Sequence, residues 1–253
     1  MKVYLTNKET TEQVLLLGEN KGHYSFTKTT LLGFMGGVYI ALSALGNLIA
    51  NFTVGGGAGK FIGAAVFPTG LMLVVLVGGS LFTGDCLGLL AFSKGKVEKT
   101  TYTRNLCAVW IGNFLGSIFI AYVSYFAGNY SSSEFARYVV GVAEHKVHLT
   151  FIEAVASGFL CNVLVAIGVW FALAAKDLAG KILAIWFPIM LFILGGFQHV
   201  VANMYYVSIG KILLPMVYSS SEMAVHFLAV TIGNFLSGAL FLPLIYKKLY
   251  MND

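Results

Sequence analysis

Ionisable side chains are scarce in this 253-residue chain: Asp, Glu, Lys and Arg make up 11% of it, against roughly a quarter in an average soluble protein. So few charges cannot dress a water-facing surface when 58% of the residues are hydrophobic and mean hydropathy is +0.81, which excludes an ordinary soluble domain. Only four prolines stand beside 29 glycines, which excludes a Pro-rich disordered chain or a collagen-like repeat. The three cysteines, Cys86, Cys107 and Cys161, form no CxxC and lie in or beside apolar runs, so they read as packing residues, not as a disulfide framework or a zinc site. Absent as well are GxSxG, HExxH, P-loop and dinucleotide fingerprints in suitable context, and His145, His148 and His199 lack metal-ligand spacing. No enzyme, metal or cofactor is indicated, and the net charge of +5 gives no reason to invoke nucleic acid. What remains is an all-α polytopic membrane protein.

Six windows free of Asp, Glu, Lys and Arg run over 29–59, 61–84, 105–133, 154–175, 182–210 and 223–246. Each exceeds the roughly 20 residues needed to cross a hydrocarbon core, which predicts six transmembrane helices in a single membrane domain, 1–253. Residues 1–28 lack the layout of a cleavable signal peptide and read as a mobile or amphipathic arm. With six crossings, one side collects twelve Lys and Arg and the other only four: Lys60, Arg137, Lys146 and Lys211. The richer side carries both termini, which predicts a multi-pass cell-membrane protein with cytoplasmic ends.

Ile111-Gly112-Asn113-Phe114-Leu115 in the third window returns as Ile232-Gly233-Asn234-Phe235-Leu236 in the sixth, 121 residues later, and Gly33-Phe34 is echoed by Gly158-Phe159. Two three-helix units, 29–133 and 150–247, are predicted. Because three is odd, the second unit enters the membrane from the opposite side, giving an inverted repeat with a substrate path near the midplane. The second window ends on Gly78-Gly79-Ser80-Leu81-Phe82-Thr83-Gly84-Asp85, and the fifth contains Gly195-Gly196-Phe197-Gln198-His199-Val200-Val201-Ala202-Asn203. Both are second in their unit. Helices 2 and 5 are therefore expected to be broken there, since exposed backbone groups survive in lipid only where protein or a cavity supplies partners. His199 is the sharpest single residue, an ionisable group mid-span, although a neutral histidine tying helices together would look the same. Thr83 offers a hydroxyl at the other break; its alternative is a back-bond to the preceding turn. Asn162 and Asn234 read by default as interhelical hydrogen-bonding amides, and Lys146 and Glu153, flanking the start of the fourth helix, as residues that snorkel to the interface.

Leu81-Phe82-Thr83-Gly84, Lys146-Val147-His148-Leu149-Thr150-Phe151-Ile152-Glu153-Ala154-Val155 with Cys161-Asn162, and Gly196-Phe197-Gln198-His199-Val200-Val201-Ala202-Asn203-Met204 together resemble the signatures of the formate/nitrite transporter family, and the hydrosulfide-channel branch most closely. The likeness covers nearly the whole chain. It implies an aquaporin-like protomer in a homopentamer, with one substrate pore per subunit. His199 would be the central pore histidine, with Thr83 and Asn162 as polar neighbours and Asn234 at a polar pore-side position. Phe67, Leu71 and Phe192 would form an outer hydrophobic constriction, and Leu81, Phe82 and Val165 an inner one. Lys146 would draw anions into the outer vestibule, and the N-terminal arm resembles one that closes the cytoplasmic mouth.

An anion meeting such rings loses its hydration, at a cost on the order of tens of kcal/mol on Born grounds, whereas a neutral weak acid faces roughly 2–7 kcal/mol. Passage then requires neutralisation in the pore. The expected function is transport of a small monovalent anion of a weak acid, hydrosulfide first because its conjugate acid forms near neutral pH, with formate or nitrite as the alternative. A membrane-embedded enzyme using His199 as acid or base is the reading from another class, and it lacks a visible nucleophile or metal.

Overall fold

The computed structural model describes residues 4–251; Lys2, counted above among the charges of the N-terminal arm, lies outside them. The described chain is helical almost throughout. In order it forms α1 (Asn7–Gly22), α2 (Phe26–Val54), α3 (Gly56–Val66), α4 (Thr69–Leu73) running into a π-turn (Val74–Gly78), α5 (Phe82–Asp85), α6 (Leu89–Ser93), α7 (Lys99–Phe126), α8 (Ser133–Val147), α9 (Phe151–Ala174), α10 (Leu178–Leu194), α11 (Val200–Leu213), α12 (Ser220–Phe235) continuing through a second π-turn (Leu236–Phe241), and α13 (Leu242–Tyr250). Starts are written in the sequence: Thr6, Ser25, Ser132, Thr150, Asp177 and Ser219 each accept a hydrogen bond from a first-turn N–H. Glu153 closes a capping box with Thr150, so its carboxylate caps α9 and does not snorkel.

Among the described residues, five helical stretches are long and apolar enough to cross a membrane: Phe26–Val54, Gly56–Gly78, Lys99–Phe126, Phe151–Ala174 and Ser220–Tyr250. The count falls one short of the six windows because 182–210 is divided between α10 and α11, each too short alone. Gly195–His199 separate them, with Gly196 at φ +68°. A similar gap, Gly79–Leu81, follows Gly78 at φ +112° and precedes the helical run Phe82–Ser93. Both glycines sit in the left-handed region that disfavours other residues.

Glycines set the closest helix crossings. A Cβ at Gly112 would lie 2.3 Å from the Thr30 carbonyl oxygen of α2, and one at Gly233 would lie 2.1 Å from that of Val155 on α9. The two halves touch where Trp110 Nε1 donates to Thr231 Oγ1 at 3.1 Å, a pair separated by the same 121 residues as the repeated pentapeptides.

The N-terminal segment, expected to be a mobile or amphipathic arm, is a helix docked on the core over its described residues. Leu5 N donates to Ala174 O at 2.9 Å, Asn105 Nδ2 to Lys21 O at 2.8 Å, and Lys21 Nζ reaches Ser80 Oγ at 3.0 Å while pairing with Asp85. Val14 packs beneath the helix against Leu87, Leu90, Ala166 and Trp170.

Two asparagines hold the gaps. Asn113 Oδ1 accepts from Phe82 N (2.9 Å) while its Nδ2 donates to Ser80 O (2.8 Å) and Gly33 O (2.7 Å). Asn234 Oδ1 accepts from Val200 N (3.0 Å) while its Nδ2 donates to Gln198 O (3.0 Å) and Gly158 O (2.7 Å). Each amide thus replaces partners that an unbroken helix would have supplied, at fully buried positions where an orphaned donor or acceptor costs about 1–3 kcal/mol. Asn113→Leu or Asn234→Leu is expected to lower unfolding stability in detergent by about 2 kcal/mol or more. Denaturation midpoints matching the parent chain would show that these amides do not hold the gaps.

Candidate functional site

The two gaps meet at one hydrogen bond. His199, the N-cap of α11, places Nε2 at 2.9 Å from Thr83 Oγ1, and its Nδ1 accepts from Ala202 N at 3.1 Å. Because the Ala202 N–H occupies Nδ1, the neutral imidazole that fits carries its hydrogen on Nε2 and donates it to Thr83. The Thr83 hydroxyl hydrogen is left to point elsewhere. Asn162 Nδ2 donates to Thr83 O (3.2 Å) and Asn234 O (2.7 Å), and its Oδ1 has no partner among the described residues. His199, Thr83, Asn162 and Asn234 are all buried, so one continuous polar cluster joins α5, α9, α11 and α12.

Apolar rings stand against this cluster. Phe192 lies 5.7 Å from the His199 ring by centroids, and Phe67 meets Phe192 edge-on at 5.6 Å. Both phenyl groups are 1% exposed, so the approach to the imidazole is dry. Leu71, which the resemblance groups with these two, lines a 410 Å³ cavity together with Leu81 on the far side of the cluster. Val165 is buried one turn before Val169, which lines that same cavity. Phe82, placed by the resemblance at an inner constriction, borders a different space, an apolar groove between α7 and α12. Phe82 is the first residue of α5, and its backbone N–H is held by Asn113 of α7, the helix that also lines that groove.

A second cavity, of 590 Å³, opens on the other side of the cluster and is lined by Lys146, Gln198, Phe197 and Ile193. Gln198 and His199 are consecutive, as are Ile193 and Phe192, while Leu81 and Thr83 flank Phe82. Chain neighbours of the His199–Thr83 pair and of Phe192 thus line both cavities, Gln198 and Ile193 the 590 Å³ one and Leu81 and Gly84 the 410 Å³ one.

Residues 8–247 match the family model described as formate/nitrite transporter. The chain belongs to the formate/nitrite transporter family. A formate channel of Bacillus thuringiensis is 35% identical over 249 residues, covering 96% of this chain and 94% of that protein. The formate channel FocA of Haemophilus influenzae is 33% identical over 266 residues, covering 94% and 92%. Among solved structures, one described as an FNT family ion channel superposes with a TM-score of 0.88 at 26% identity over 97% of this chain and 99% of that one. A pentameric formate channel with formate bound superposes at 0.81 with 28% identity over 90% and 98%. The described relatives are channels and transporters, which places this chain among multi-pass membrane channels and not among enzymes.

Within this formate/nitrite transporter fold, Lys146 is held at the 590 Å³ cavity by residues whose roles the sequence left unremarked. Lys146 Nζ donates to Gln198 Oε1 at 3.1 Å and stands 5.0 Å above the Tyr206 ring. Gln198 Nε2 donates to Gly196 O at 3.0 Å, which fixes the amide's orientation. Asn203 Nδ2 then donates to Gln198 Oε1 and to His226 Nε2, each at 2.9 Å. The Asn203 and Asn113 roles leave little sequence signal beyond lying in the quoted motifs, and His226 leaves none.

Lys146 lies on α8, outside the long apolar helices, and burial draws its ammonium below the usual lysine range, to about 8. Its charge is present near neutral pH and is lost as pH rises through that value. Peptide-resolved amine labelling of the folded protein should show Lys146 reaching half-maximal reactivity near pH 8, with Gln198→Leu shifting that midpoint. A midpoint at the ordinary lysine value of about 10.4 would remove the case for a buried ammonium.

Proposed function

We propose that the chain is a pore for small monovalent anions of weak acids. The observation that carries this reading is the dry cluster of His199, Thr83, Phe67 and Phe192, whose chain neighbours line two cavities. In the proposed architecture six spans cross the membrane, the fifth built from α10 and α11 end to end, with both termini cytoplasmic. Residues 29–133 and 150–247 are the inverted repeats, and five copies assemble, as in the related pentameric formate channel.

Each residue has a physical task in this reading. Lys146 raises the local concentration of the anion at the outer mouth. Phe67 and Phe192, with Leu71, Leu81 and Val165 beyond, exclude water, so a fully charged solute faces a cost on the order of tens of kcal/mol and its conjugate acid only roughly 2–7 kcal/mol. Thr83 O–H and the amide of Asn162 offer hydrogen bonds at the narrowest point, and His199 holds the Thr83 oxygen through Nε2–H. The helical runs that begin at Phe82 and Val200 both present backbone N–H ends near the cluster, which favours a solute with anionic character. Asn162 and Asn234 keep that backbone in place.

Formate, nitrite and hydrosulfide all meet these demands. Formate stands first, because relatives at 35% and 33% identity are formate channels. Hydrosulfide, favoured by the sequence signatures, is the competing substrate since it needs the least help to become neutral. Uptake of the three anions into proteoliposomes between about pH 5 and 9 ranks them, and flux no greater than in protein-free vesicles would defeat the transport reading. Thr83→Val is expected to reduce flux about tenfold or more, by orphaning the His199 donor and removing the hydroxyl, whereas Thr83→Ser retains most of it. Equal flux through Thr83→Val would take the hydroxyl out of the path.

A further inference from the structure

Basic residues are rare on the side of the chain that holds Lys60, Arg137, Lys146 and Lys211, only four against twelve opposite. Three of those four line a single cavity. Lys60 from α3, Arg137 from α8 and Lys146 at the end of α8 converge on the 590 Å³ space, joined by His145, while Lys211 is turned away to the Tyr218 carbonyl. No Asp or Glu lines that space, and among the described residues neither Lys60 nor Arg137 forms an ion pair. Asn47, 7% exposed, also lines it; its Oδ1 accepts from Tyr206 at 3.0 Å while its Nδ2 has no acceptor among the described residues. Three cations from two elements, an unpartnered buried amide donor and no counter-charge make a concave site that no helix packing requires.

The opposite cavity is built differently. Its lysines are Lys21 and Lys181, and Lys21 is already paired with Asp85 in the same wall. Its formal charge is lower and largely satisfied internally, so the two mouths differ in sign strength.

One ammonium suffices to gather a monovalent anion that must also leave. Three unpaired cations around one space favour a ligand with two or more negative charges, because each added charge interacts with all three. Such a ligand cannot proceed: protonation of one group still leaves a charge to be stripped at Phe67 and Phe192. We propose that the Lys60–Arg137–Lys146 vestibule is a binding site for small multivalent anions, dicarboxylates or inorganic dianions, which occupy the mouth and competitively block the conducted monovalent anion from that side. This rests on the pore reading above only for its consequence for flux; the binding itself does not.

The test uses the full-length chain, with malonate and sulfate as probes and gluconate at equal ionic strength as the monovalent control. In planar bilayers, malonate added to the Lys146 face should suppress formate current in competition with formate, and added to the other face should do so at least several-fold more weakly. With inhibition referred to each variant's own uninhibited current, Arg137→Gln and Lys60→Gln should each raise the half-blocking concentration by up to about fivefold, and more together. Block no stronger than gluconate's, or equal from both faces, or unchanged in the double variant, overturns the proposal. If no formate current is found in any protein, the pore reading has failed, and thermal stabilisation of the purified chain by malonate still decides the site. Stabilisation present in the parent and lost in the double variant supports it; none in the parent sinks it.

Discussion

Two short non-helical gaps buried among apolar helices, Gly79–Leu81 and Gly195–His199, are the constraint on which the rest of the structure depends. Every N–H and C=O released at Gly79–Leu81 and Gly195–His199 has to be met by protein, because lipid offers nothing. Asn113 and Asn234 meet the same three kinds of group in each half: one N–H at the start of the following helix, one carbonyl inside the gap, and one carbonyl on the neighbouring long helix. That neighbour can be reached only because glycines at 33, 112, 158 and 233 let the long helices nearly touch. Small-residue packing, amide clamps and open helix ends are thus one device, and the His199–Thr83 bond sits at the meeting point of its two copies.

A second set of hydrogen bonds, centred on Gln198 beside that meeting point, has a fixed direction. Lys146 can only donate, so Gln198 must present its carbonyl oxygen to it, and the Gly196 carbonyl confirms the amide's other end. Asn203 follows as donor and His226 as acceptor at Nε2. A chain of side chains with no freedom to reverse holds the ammonium at the edge of the cavity, where Tyr206 backs it.

The family was legible in the sequence because its signatures are strings of residues that the gaps need: Gly-Gly before each, Thr83 and His199 after. The meeting of the two gaps was also approachable, since the repeated Ile-Gly-Asn-Phe-Leu fixes which positions correspond. What could not be read was direction. The resemblance grouped Leu71 with Phe67 and Phe192, and Leu71 also opens to the space that Leu81 lines. Phe82, which the same resemblance grouped with Leu81, borders the groove between α7 and α12, where Asn113 holds its N–H. The N-terminal helix is weakly amphipathic and polar on average, so nothing in its pattern announces that Val14 and Lys21 dock it. Asn113 was hidden in plain view, inside the very repeat that drew notice to Asn234. Partners distant in sequence decide all four, and local pattern does not encode them.

Leu81 and His199 occupy the same slot: each is extended, each immediately precedes the helix whose first N–H an asparagine holds, and each is buried. Only one can form hydrogen bonds. The two sockets match in backbone and in their asparagine clamp, and they differ in what fills them, an oily plug in one and an imidazole in the other. The chain is thus asymmetric at its centre where its framework repeats, and in the proposed pore a solute coming from either end would meet these two residues in opposite order.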